Sequence, residues 1–435
     1  MSLFPIELES ETATRLLGAW GSALGKWGVS FPKLALWTVV WMAFFNLVSF
    51  NVDKDEVGLD AQVLVKLMGV AVAGCVGAWG WLHSQEMRKL CSTGWMFGIA
   101  AFLGLYFVAG LFGIDRVVSL ITTICLLATV LVTCFSVTLN GWYRTFFAAY
   151  LGVVLYCFCS LAFWCVSPDA AMFAEPLPEG QFALRFRGLS HPNTVGQYGG
   201  MAIALSLVLW WNQKLNRWLA LAGLLMGTAC LAGSLSRASM LATALCLAFV
   251  YRDKLLNRRW IMPGLLSLGL ICFAGVFFSQ YLDLEAGLDA VVQKLSKSGE
   301  AEELTSATGR ADIWARTLQL VAERPLLGFG ANTSKYLLSE YSQYTHNMFL
   351  NTALSGGVIC LAITAWLALG RFFQALKSPN VYADTALGFI LINGLVENVI
   401  YAPMPAAMTI FWILALTSDS SVVKAARLRE LPELN

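Results

Sequence analysis

Two of the three histidines in this chain stand in short polar segments that border long apolar runs. His191 lies in Arg-Gly-Leu-Ser-His-Pro-Asn, and His346 lies in Tyr-Thr-His-Asn. Because a histidine gains and loses a proton near neutral pH, each residue is a candidate general base. A structural interpretation stays open for both, in which the ring caps a helix or makes an interfacial hydrogen bond. The third histidine, His83, is interpreted as an interfacial residue at a helix end.

Six arginines stand in the connections between apolar runs that are predicted to face outward: Arg185, Arg187, Arg237, Arg310, Arg316 and Arg324. Guanidinium groups bind phosphate oxygens through paired hydrogen bonds, and an arginine beside apolar spans usually has an anionic partner. Arg237, in Ser-Leu-Ser-Arg, has no carboxylate close to it in sequence, which favours an anionic ligand. Arg316 follows Asp312 by four residues and is predicted to pair with it. Arg324 is predicted to be a solvated charge.

The remaining polar residues predict neither a metal site nor a disulfide framework. The acidic runs at 283–289 and 300–303 have no spacing that makes oxygen ligands converge. The 11 cysteines lie mostly inside apolar runs and form no Cys-x-x-Cys pair. We therefore expect no metal and no cofactor. Glu397, in Val-Glu-Asn within an apolar run, stays a functional candidate because a carboxylate is costly inside a membrane.

Composition indicates a membrane protein. Hydrophobic residues form 58% of the 435 residues and charged residues form 13%, against about 25% charged residues in a soluble domain. Apolar runs that are long enough to cross a ~30 Å hydrocarbon core recur along the chain, so membrane lipids are expected partners. The net charge is +2, and no basic stripe with interleaved aromatic residues occurs, so nucleic acid is not an expected partner.

These runs predict an all-α polytopic membrane protein with about twelve transmembrane helices. The predicted spans are 34–50, 61–82, 94–114, 117–138, 142–166, 195–211, 218–233, 238–251, 261–280, 346–369, 381–401 and 404–418. Outside them, residues 311–323 carry apolar side chains at the spacing of an interfacial amphipathic helix. Pro325 is predicted to end that helix.

The charges of the connections predict the orientation. Connections rich in Lys and Arg alternate with short or acidic ones, and the positive-inside rule places the basic set and both termini in the cytoplasm. We therefore expect a protein of the bacterial inner membrane whose long connections face the periplasm. The predicted division is a membrane domain at 1–280 with a smaller periplasmic loop at 167–194, a large periplasmic loop with amphipathic helices at 281–345, membrane helices at 346–418 and a cytoplasmic tail at 419–435.

This orientation restricts the chemistry that the outer residues can perform. The outer face of an inner membrane has no ATP supply, and the sequence holds no Gly-Lys-Ser/Thr loop for ATP. The energy must then come from a bond in the substrate, and a sugar carried by a polyprenyl pyrophosphate has a good leaving group. Transfer of that sugar requires cations for the pyrophosphate, a base for the attacking hydroxyl and a groove for the isoprenoid tail.

At this point the chain resembles the O-antigen ligase and polymerase superfamily. The resemblance is carried by GLSHPNTVG at 188–196, SLSR at 234–237, TGR at 308–310 with Trp314, RPLLGFG at 324–330, and His346-Asn347 with Gly356-Gly357 downstream. The order of these short motifs and the late position of the long outer loop also match. Within the superfamily, the pattern is most similar to ligases that join O-antigen to lipid A-core.

The resemblance implies an inverting glycosyl transfer in the periplasm that needs neither metal nor ATP. It implies that O-antigen moves from undecaprenyl pyrophosphate to a sugar hydroxyl of lipid A-core. His346 would be the base, and Asn347 is expected to orient it. Arg237 and Arg310, with Arg185 or Arg187, would hold the pyrophosphate; the sequence does not decide between the last two. His191 and Asn193 would line the same pocket.

Three other functions stay open at the level of sequence. An O-antigen polymerase would use the same donor and a second lipid-linked glycan as acceptor. A transporter or flippase of lipid-linked glycans belongs to a different class, and such folds often contain repeats around a site at the membrane midplane. No repeat between the two halves is evident here, and the polar clusters lie at the predicted outer interface, which favours an enzyme. A structural membrane subunit would leave the arginines and histidines unexplained.

Overall fold

The computed structural model describes residues 30–49, 61–176, 182–252, 310–340, 342, 344–401, 404–421 and 423. Within these ranges the chain is almost entirely helical. The helices are α1 (Phe31–Phe45), α2 (Ala61–His83), α3 (Gln85–Cys91), α4 (Gly94–Leu111), α5 (Arg116–Asn140), α6 (Trp142–Val166), α7 (Pro192–Trp211), α8 (Arg217–Ser234), α9 (Arg237–Val250), α10 (Arg310–Glu323), α11 (Ser334–Leu337), α12 (Met348–Lys377), α13 (Val381–Gly394) and α14 (Ala407–Thr417). The predicted span 261–280 and residues 281–309 lie outside the described residues.

The prediction of an all-α polytopic membrane protein is confirmed. In the described part of the chain, six helices are long and apolar enough to cross a membrane, namely α2, α4, α5, α6, α8 and α12. The helices α1, α9, α13 and α14 are shorter and also apolar. Each predicted span within the described residues overlaps one of the helices, but the predicted span 381–401 is not one continuous helix, because α13 ends at Gly394. Large apolar side chains such as Phe97 and Val117 are exposed on the bundle, which suits a surface solvated by lipid.

The core of the bundle surrounds α14. All of its residues from Ala407 to Thr417 are buried, and it packs against α1, α5, α6 and α13. Small residues allow other helices to approach closely, as is common between membrane helices. At the contact of α7 with α8, a Cβ atom on Gly199 would lie 2.7 Å from the carbonyl oxygen of Gly227. The two backbones therefore touch at this point.

A two-stranded hairpin occupies the smaller predicted loop at 167–194. Strand β1 (Met172–Pro176) pairs antiparallel with β2 (Phe182–Phe186), with Met172 opposite Phe186 and Phe173 opposite Arg185. The hairpin was not predicted from the sequence. Its second strand turns Phe182 outward and buries its last two residues, one of which is Arg185. The hairpin thereby carries a cation into the bundle.

The predicted position and end of the amphipathic helix α10 are confirmed. The motif at 324–330, which follows this helix, attaches it to a break in α12. Gly357 has φ 77° inside α12 and interrupts the ladder of helical hydrogen bonds there. Three backbone bonds fill the gap: Phe329 N to Leu354 O at 2.8 Å, Gly330 N to Ser355 O at 2.9 Å, and Val358 N to Pro325 O at 2.7 Å. The break therefore supplies the donors and acceptors that hold the loop after α10.

We expect Gly357→Ala to destabilise the protein. A left-handed backbone costs about 1–3 kcal/mol in a residue other than glycine, and an added Cβ would lie 2.1 Å from the carbonyl oxygen of Leu326. Gly104→Ala in α4 is the matched control, because a Cβ atom there meets nothing within 4 Å. Thermal unfolding in one detergent should give a lower midpoint for Gly357→Ala alone. Equal midpoints for the two variants would show that the loop does not depend on this break.

A buried arginine joins three helices at the opposite end of the bundle from the break. Arg371 in α12 is 0% exposed and donates to the carbonyl oxygen of Ala415 at 2.8 Å. It also donates to Asp384 Oδ1 at 2.8 Å and to Ser418 Oγ at 3.1 Å. Because breaking a buried ion pair leaves an uncompensated charge, this contact fixes α12 against α13 and the end of α14.

Candidate active site

The side chain of Glu397 lies at the centre of a polar cluster at the ends of several helices. It belongs to the connection between α13 and α14 and is buried. Its Oε1 accepts hydrogen bonds from Arg310 Nη2 and from Asn193 Nδ2, both at 2.8 Å. Its Oε2 lies 3.2 Å from His346 Nδ1. One carboxylate therefore brings together a cation, an amide and an imidazole that are far apart in sequence.

Helix termini position these three partners. Arg310 is the first residue of α10, and Asn193 lies in the first turn of α7. His346 lies in the turn before α12 and has φ 47°, a conformation that few residues other than glycine adopt. The indole of Trp314 donates to the carbonyl oxygen of Thr345 at 3.0 Å, so α10 also fixes the residue before His346.

The electrostatics of the cluster determine which nitrogen of His346 carries the proton. Burial alone would raise the pKa of Glu397, but the hydrogen bond from His346 and the positive charges of His346 and Arg310 lower that pKa overall. An ionised carboxylate only accepts hydrogen bonds, so Nδ1 of His346 is the donor. In a neutral imidazole the lone pair then lies on Nε2, which is 3.2 Å from Ser342 Oγ. This is the arrangement of a general base with a hydroxyl at its basic nitrogen.

Asn347 acts on the backbone rather than on the imidazole ring. Its Oδ1 accepts from the backbone N–H groups of Phe349 and Leu350, at 2.9 and 3.0 Å, and so caps α12. Its Nδ2 donates to the carbonyl oxygen of Leu395 at 2.8 Å. The ring of His346 is instead held by Glu397. Asn347 therefore places the segments that carry both residues.

The two candidate arginines of β2 and its end are buried. Arg185 is 2% exposed and donates to Glu175 Oε2 at 2.7 Å, to Asn193 Oδ1 at 2.7 Å and to the carbonyl oxygen of Ser234 at 2.8 Å. Arg187 is 7% exposed and donates to the carbonyl oxygen of Ser49 at 3.4 Å. Through Asn193, Arg185 supports the position of the Glu397 carboxylate.

Arg237 and Arg310 are less buried than these two. Arg310 is paired with Glu397, and its side chain is 24% exposed. Arg237 is partly buried and begins α9, directly after the turn in which Leu235 has φ 51°. The same turn supplies the carbonyl oxygen of Ser234 to Arg185, so it connects Arg237 to the cluster. Arg316 lies apart from the cluster; it contacts Gln319 and Glu323 and not Asp312, contrary to the sequence prediction.

His191 caps α7 at the edge of the cluster. Its Nδ1 accepts a hydrogen bond from the backbone N–H of Asn193 at 3.2 Å. The imidazole is accessible to solvent, and its centroid lies 5.8 Å from that of the Phe173 ring. The protein atoms crowded around the ring, and then the charge of Arg185, lower the pKa of His191 to about 4. At neutral pH this histidine is uncharged.

The structure places four of the eight predicted site residues around Glu397, a residue that was outside the predicted set. His346, Arg310 and Asn193 contact Glu397 directly, and Arg185 contacts it through Asn193. Glu397 was singled out in the sequence only as a carboxylate inside an apolar run. Two further partners, Glu175 and Ser342, were not predicted at all. Neither stands in a motif, so only the fold reveals them.

Part of the chain is similar to known proteins. Residues 222–365 match the family model of O-antigen ligase. This range includes Arg237, Arg310 and His346 and ends before Glu397. An O-antigen ligase of Pseudomonas aeruginosa is 36% identical over 107 residues, which cover 23% of this chain and 26% of that relative. The match thus spans about a quarter of the relative's length, and together these findings support membership of the chain in the O-antigen ligase superfamily.

Proposed function

We propose that the protein moves O-antigen polysaccharide from undecaprenyl pyrophosphate to a sugar hydroxyl of lipid A-core, at the periplasmic face of the bacterial inner membrane. Both termini lie in the cytoplasm in this proposal. The observation that carries it is the Glu397 carboxylate, which holds the base candidate His346 on one oxygen and the cation Arg310 on the other. Transfer from a pyrophosphate donor requires these two functions side by side.

The proposed reaction is a single displacement. The oxygen of the acceptor hydroxyl attacks the anomeric carbon from the face opposite the pyrophosphate, and its proton passes to His346 Nε2. The bond between the anomeric carbon and the pyrophosphate oxygen breaks, and the electron pair stays with undecaprenyl pyrophosphate. Attack from the opposite face inverts the anomeric configuration. The bond that breaks supplies the energy, so the reaction is proposed to proceed without ATP.

Arginines are proposed to neutralise the negative charge of the leaving group, and the reaction is proposed to need no metal ion. Arg310 and Arg237 are the preferred contacts, because Arg185 and Arg187 are buried and Arg185 already has three protein acceptors. Guanidinium groups are suited to this role because they bind phosphate oxygens in pairs. Arg185 is then a positioning residue, and Asn193 transmits its position to Glu397.

The experiment that tests the function uses purified protein, undecaprenyl-pyrophosphate-linked O-glycan and rough lipopolysaccharide, with a chelator and without ATP. The product is read on a gel. A ladder of capped lipopolysaccharide is the expected result. Growth of the lipid-linked glycan without capping would identify a polymerase instead. If intact substrates give neither product, transport of lipid-linked glycan between vesicles is the next assay.

Arg310→Ala is expected to slow transfer by about 10²–10³-fold, the usual cost of removing one group that stabilises developing negative charge. Arg310→Lys should lose less activity, because it keeps the charge and loses only the paired geometry. Arg316→Ala, in the same helix, is the matched control, because the side chain of Arg316 is 38% exposed and its described polar contacts are with Gln319 and Glu323. Initial rates at saturating donor compare the three variants. Equal rates for Arg310→Ala and Arg316→Ala would remove Arg310 from the proposed mechanism.

A further inference from the structure

The Nδ1 atoms of the two histidines near Glu397 have opposite hydrogen-bonding roles, because one donates and the other accepts. Nδ1 of His346 faces the carboxylate of Glu397 at 3.2 Å and must donate. Nδ1 of His191 receives the backbone N–H of Asn193 at 3.2 Å and must accept. A neutral imidazole carries one proton, so the second nitrogen has the opposite role in each ring. Nε2 of His346 is therefore an acceptor, and Nε2 of His191 is a donor.

The position of His191 keeps this assignment fixed. The residue is the N-cap of α7, and its ring satisfies a backbone N–H that has no partner within the helix. The ring of Phe173 lies beside it, with centroids 5.8 Å apart. Protonation of Nδ1 would break the cap, and a positive charge at the start of a helix is also disfavoured by the helix dipole.

The charged groups around His191 favour the neutral ring as well. Arg185 on β2, and His346 before α12 when its ring is protonated, disfavour a positive charge on His191, whereas Glu175 on β1 and Glu397 before α14 favour one. The crowding of the ring by protein atoms and the charge of Arg185 outweigh the two carboxylates, and the pKa falls to about 4. His191 is thus protonated on both nitrogens only in strongly acidic solution.

We propose that His191 donates a hydrogen bond from its neutral Nε2–H to a phosphate oxygen of the leaving group, while His346 takes the proton of the acceptor hydroxyl. This inference rests on the proposed function. As the bond to the anomeric carbon breaks, negative charge grows on the pyrophosphate, and the hydrogen bond from His191 strengthens. His191 donates a hydrogen bond without losing its proton, so no proton is transferred at this position. A pyrophosphate offers only acceptors, which suits a donor that cannot accept.

Nuclear magnetic resonance on the full chain tests the protonation state without any turnover. The chain contains only three histidines, so labelling all histidines with ¹⁵N gives few signals. The variant His83→Gln identifies the signal of His83, and His191→Asn identifies that of His191. We expect His191 to carry its proton on Nε2 from about pH 8 to pH 5, and the neutral form of His346 to carry its proton on Nδ1. A proton on Nδ1 of His191 between pH 6 and 8 would overturn the proposal.

The activity test separates the donor role from the cap. Asparagine is a good N-cap residue but does not reach as far as histidine, so His191→Asn should keep the melting temperature of the wild type. We expect kcat to fall on the order of 10²-fold, with little change in KM for the lipid-linked donor, because the bond strengthens only in the transition state. His191→Gln, whose longer amide also donates, should recover part of the loss. Full activity of His191→Asn would leave His191 only a cap and refute the donor role.

The two tests also separate this inference from the proposed function. If the wild-type protein caps no lipopolysaccharide and extends no lipid-linked glycan, the proposed function fails. The resonance of His191 still decides whether its Nε2 is a donor in the folded protein. If the wild-type protein is active and His191 is protonated on Nδ1, the function stands and only the role of His191 is wrong.

Discussion

Replacing His346 is expected to lower the rate of glycosyl transfer by about 10²–10⁴-fold, the contribution of a positioned general base. The acceptor hydroxyl would have to attack with its proton still in place. Nε2 of His346 is the basic nitrogen, because Glu397 occupies Nδ1. The loss should appear in single-turnover rates with saturating donor and lipid A-core acceptor. Binding of the donor should change little, since the proposal assigns its pyrophosphate to arginines.

The choice of variant matters because His346 has φ 47°. Asparagine tolerates this left-handed conformation better than most residues, so His346→Asn removes the base with less strain than His346→Ala. His83→Ala is the matched control; His83 stacks on Trp79 at 4.0 Å and lies outside the cluster. If His346→Asn retains its melting temperature and transfers glycan at the wild-type rate, His346 is not the base.

Glu397→Gln is expected to reduce the rate by a similarly large factor, about 10³–10⁴-fold, although the change is nearly isosteric. A glutamine amide can donate to Nδ1 of His346, which would place the imidazole proton on Nε2 and remove the lone pair from the reacting side. Loss of the correct tautomer costs about 10⁴-fold in the serine proteases. The substitution also leaves Arg310 without its carboxylate partner.

Glu397→Asp is the informative comparison, because aspartate keeps the negative charge but its side chain is one methylene shorter. We expect Glu397→Asp to be more active than Glu397→Gln. Thermal unfolding measures the folded fraction of each variant, so that their rates are compared at equal amounts of folded protein. The ¹⁵N spectrum of His346 in Glu397→Gln should show the proton on Nε2. An active Glu397→Gln variant with an unchanged spectrum would mean that Glu397 has a structural role only.

Hydropathy predicted the bundle well because lipid imposes one strong requirement on every span. Runs of apolar residues long enough for the membrane must be helical, since backbone groups have no other partners there. The hairpin β1–β2 escaped prediction because its strands are only five residues long and lie in a polar connection. Its pairing is stabilised by contacts such as that of Arg185 with Ser234, which no local pattern encodes.

The centre of the candidate site was harder to predict, because tertiary contacts end a helix there. An apolar run from 381 to 401 predicted a continuous span, but α13 ends at Gly394. Asn347 then binds the carbonyl oxygen of Leu395, and Thr345 donates to Asn398 Oδ1 at 2.9 Å. These partners come from the segment around His346, and they turn Glu397 towards it. The sequence motifs contain the residues that bind Glu397, but Glu397 itself lies outside them.

Arg371 is a second residue whose structural role could not be predicted from the sequence. In the sequence it follows the predicted span 346–369 and belongs to one of the basic connections that the positive-inside rule places in the cytoplasm. In the structure it is 0% exposed and is surrounded by acceptors from α13 and the end of α14. A charge that indicates topology can therefore also be part of the core. Spacing does not separate the two, because Asp384 and Ser418 are distant in sequence from Arg371.

The break at Gly357 also has a consequence for depth in the bilayer. The part of α12 after it, Val358–Lys377, is a helix of about 30 Å at 1.5 Å per residue, which equals the thickness of a hydrocarbon core. In the proposed orientation the break lies at the level where hydrocarbon gives way to lipid headgroups. His346 precedes the break by eleven residues, about three helical turns, so in this proposal its imidazole lies on the headgroup side of the hydrocarbon core. If the proposed function is correct, a prenyl chain in the outer leaflet would present its pyrophosphate on that same side, and the donor would not need to leave the membrane to meet the proposed base.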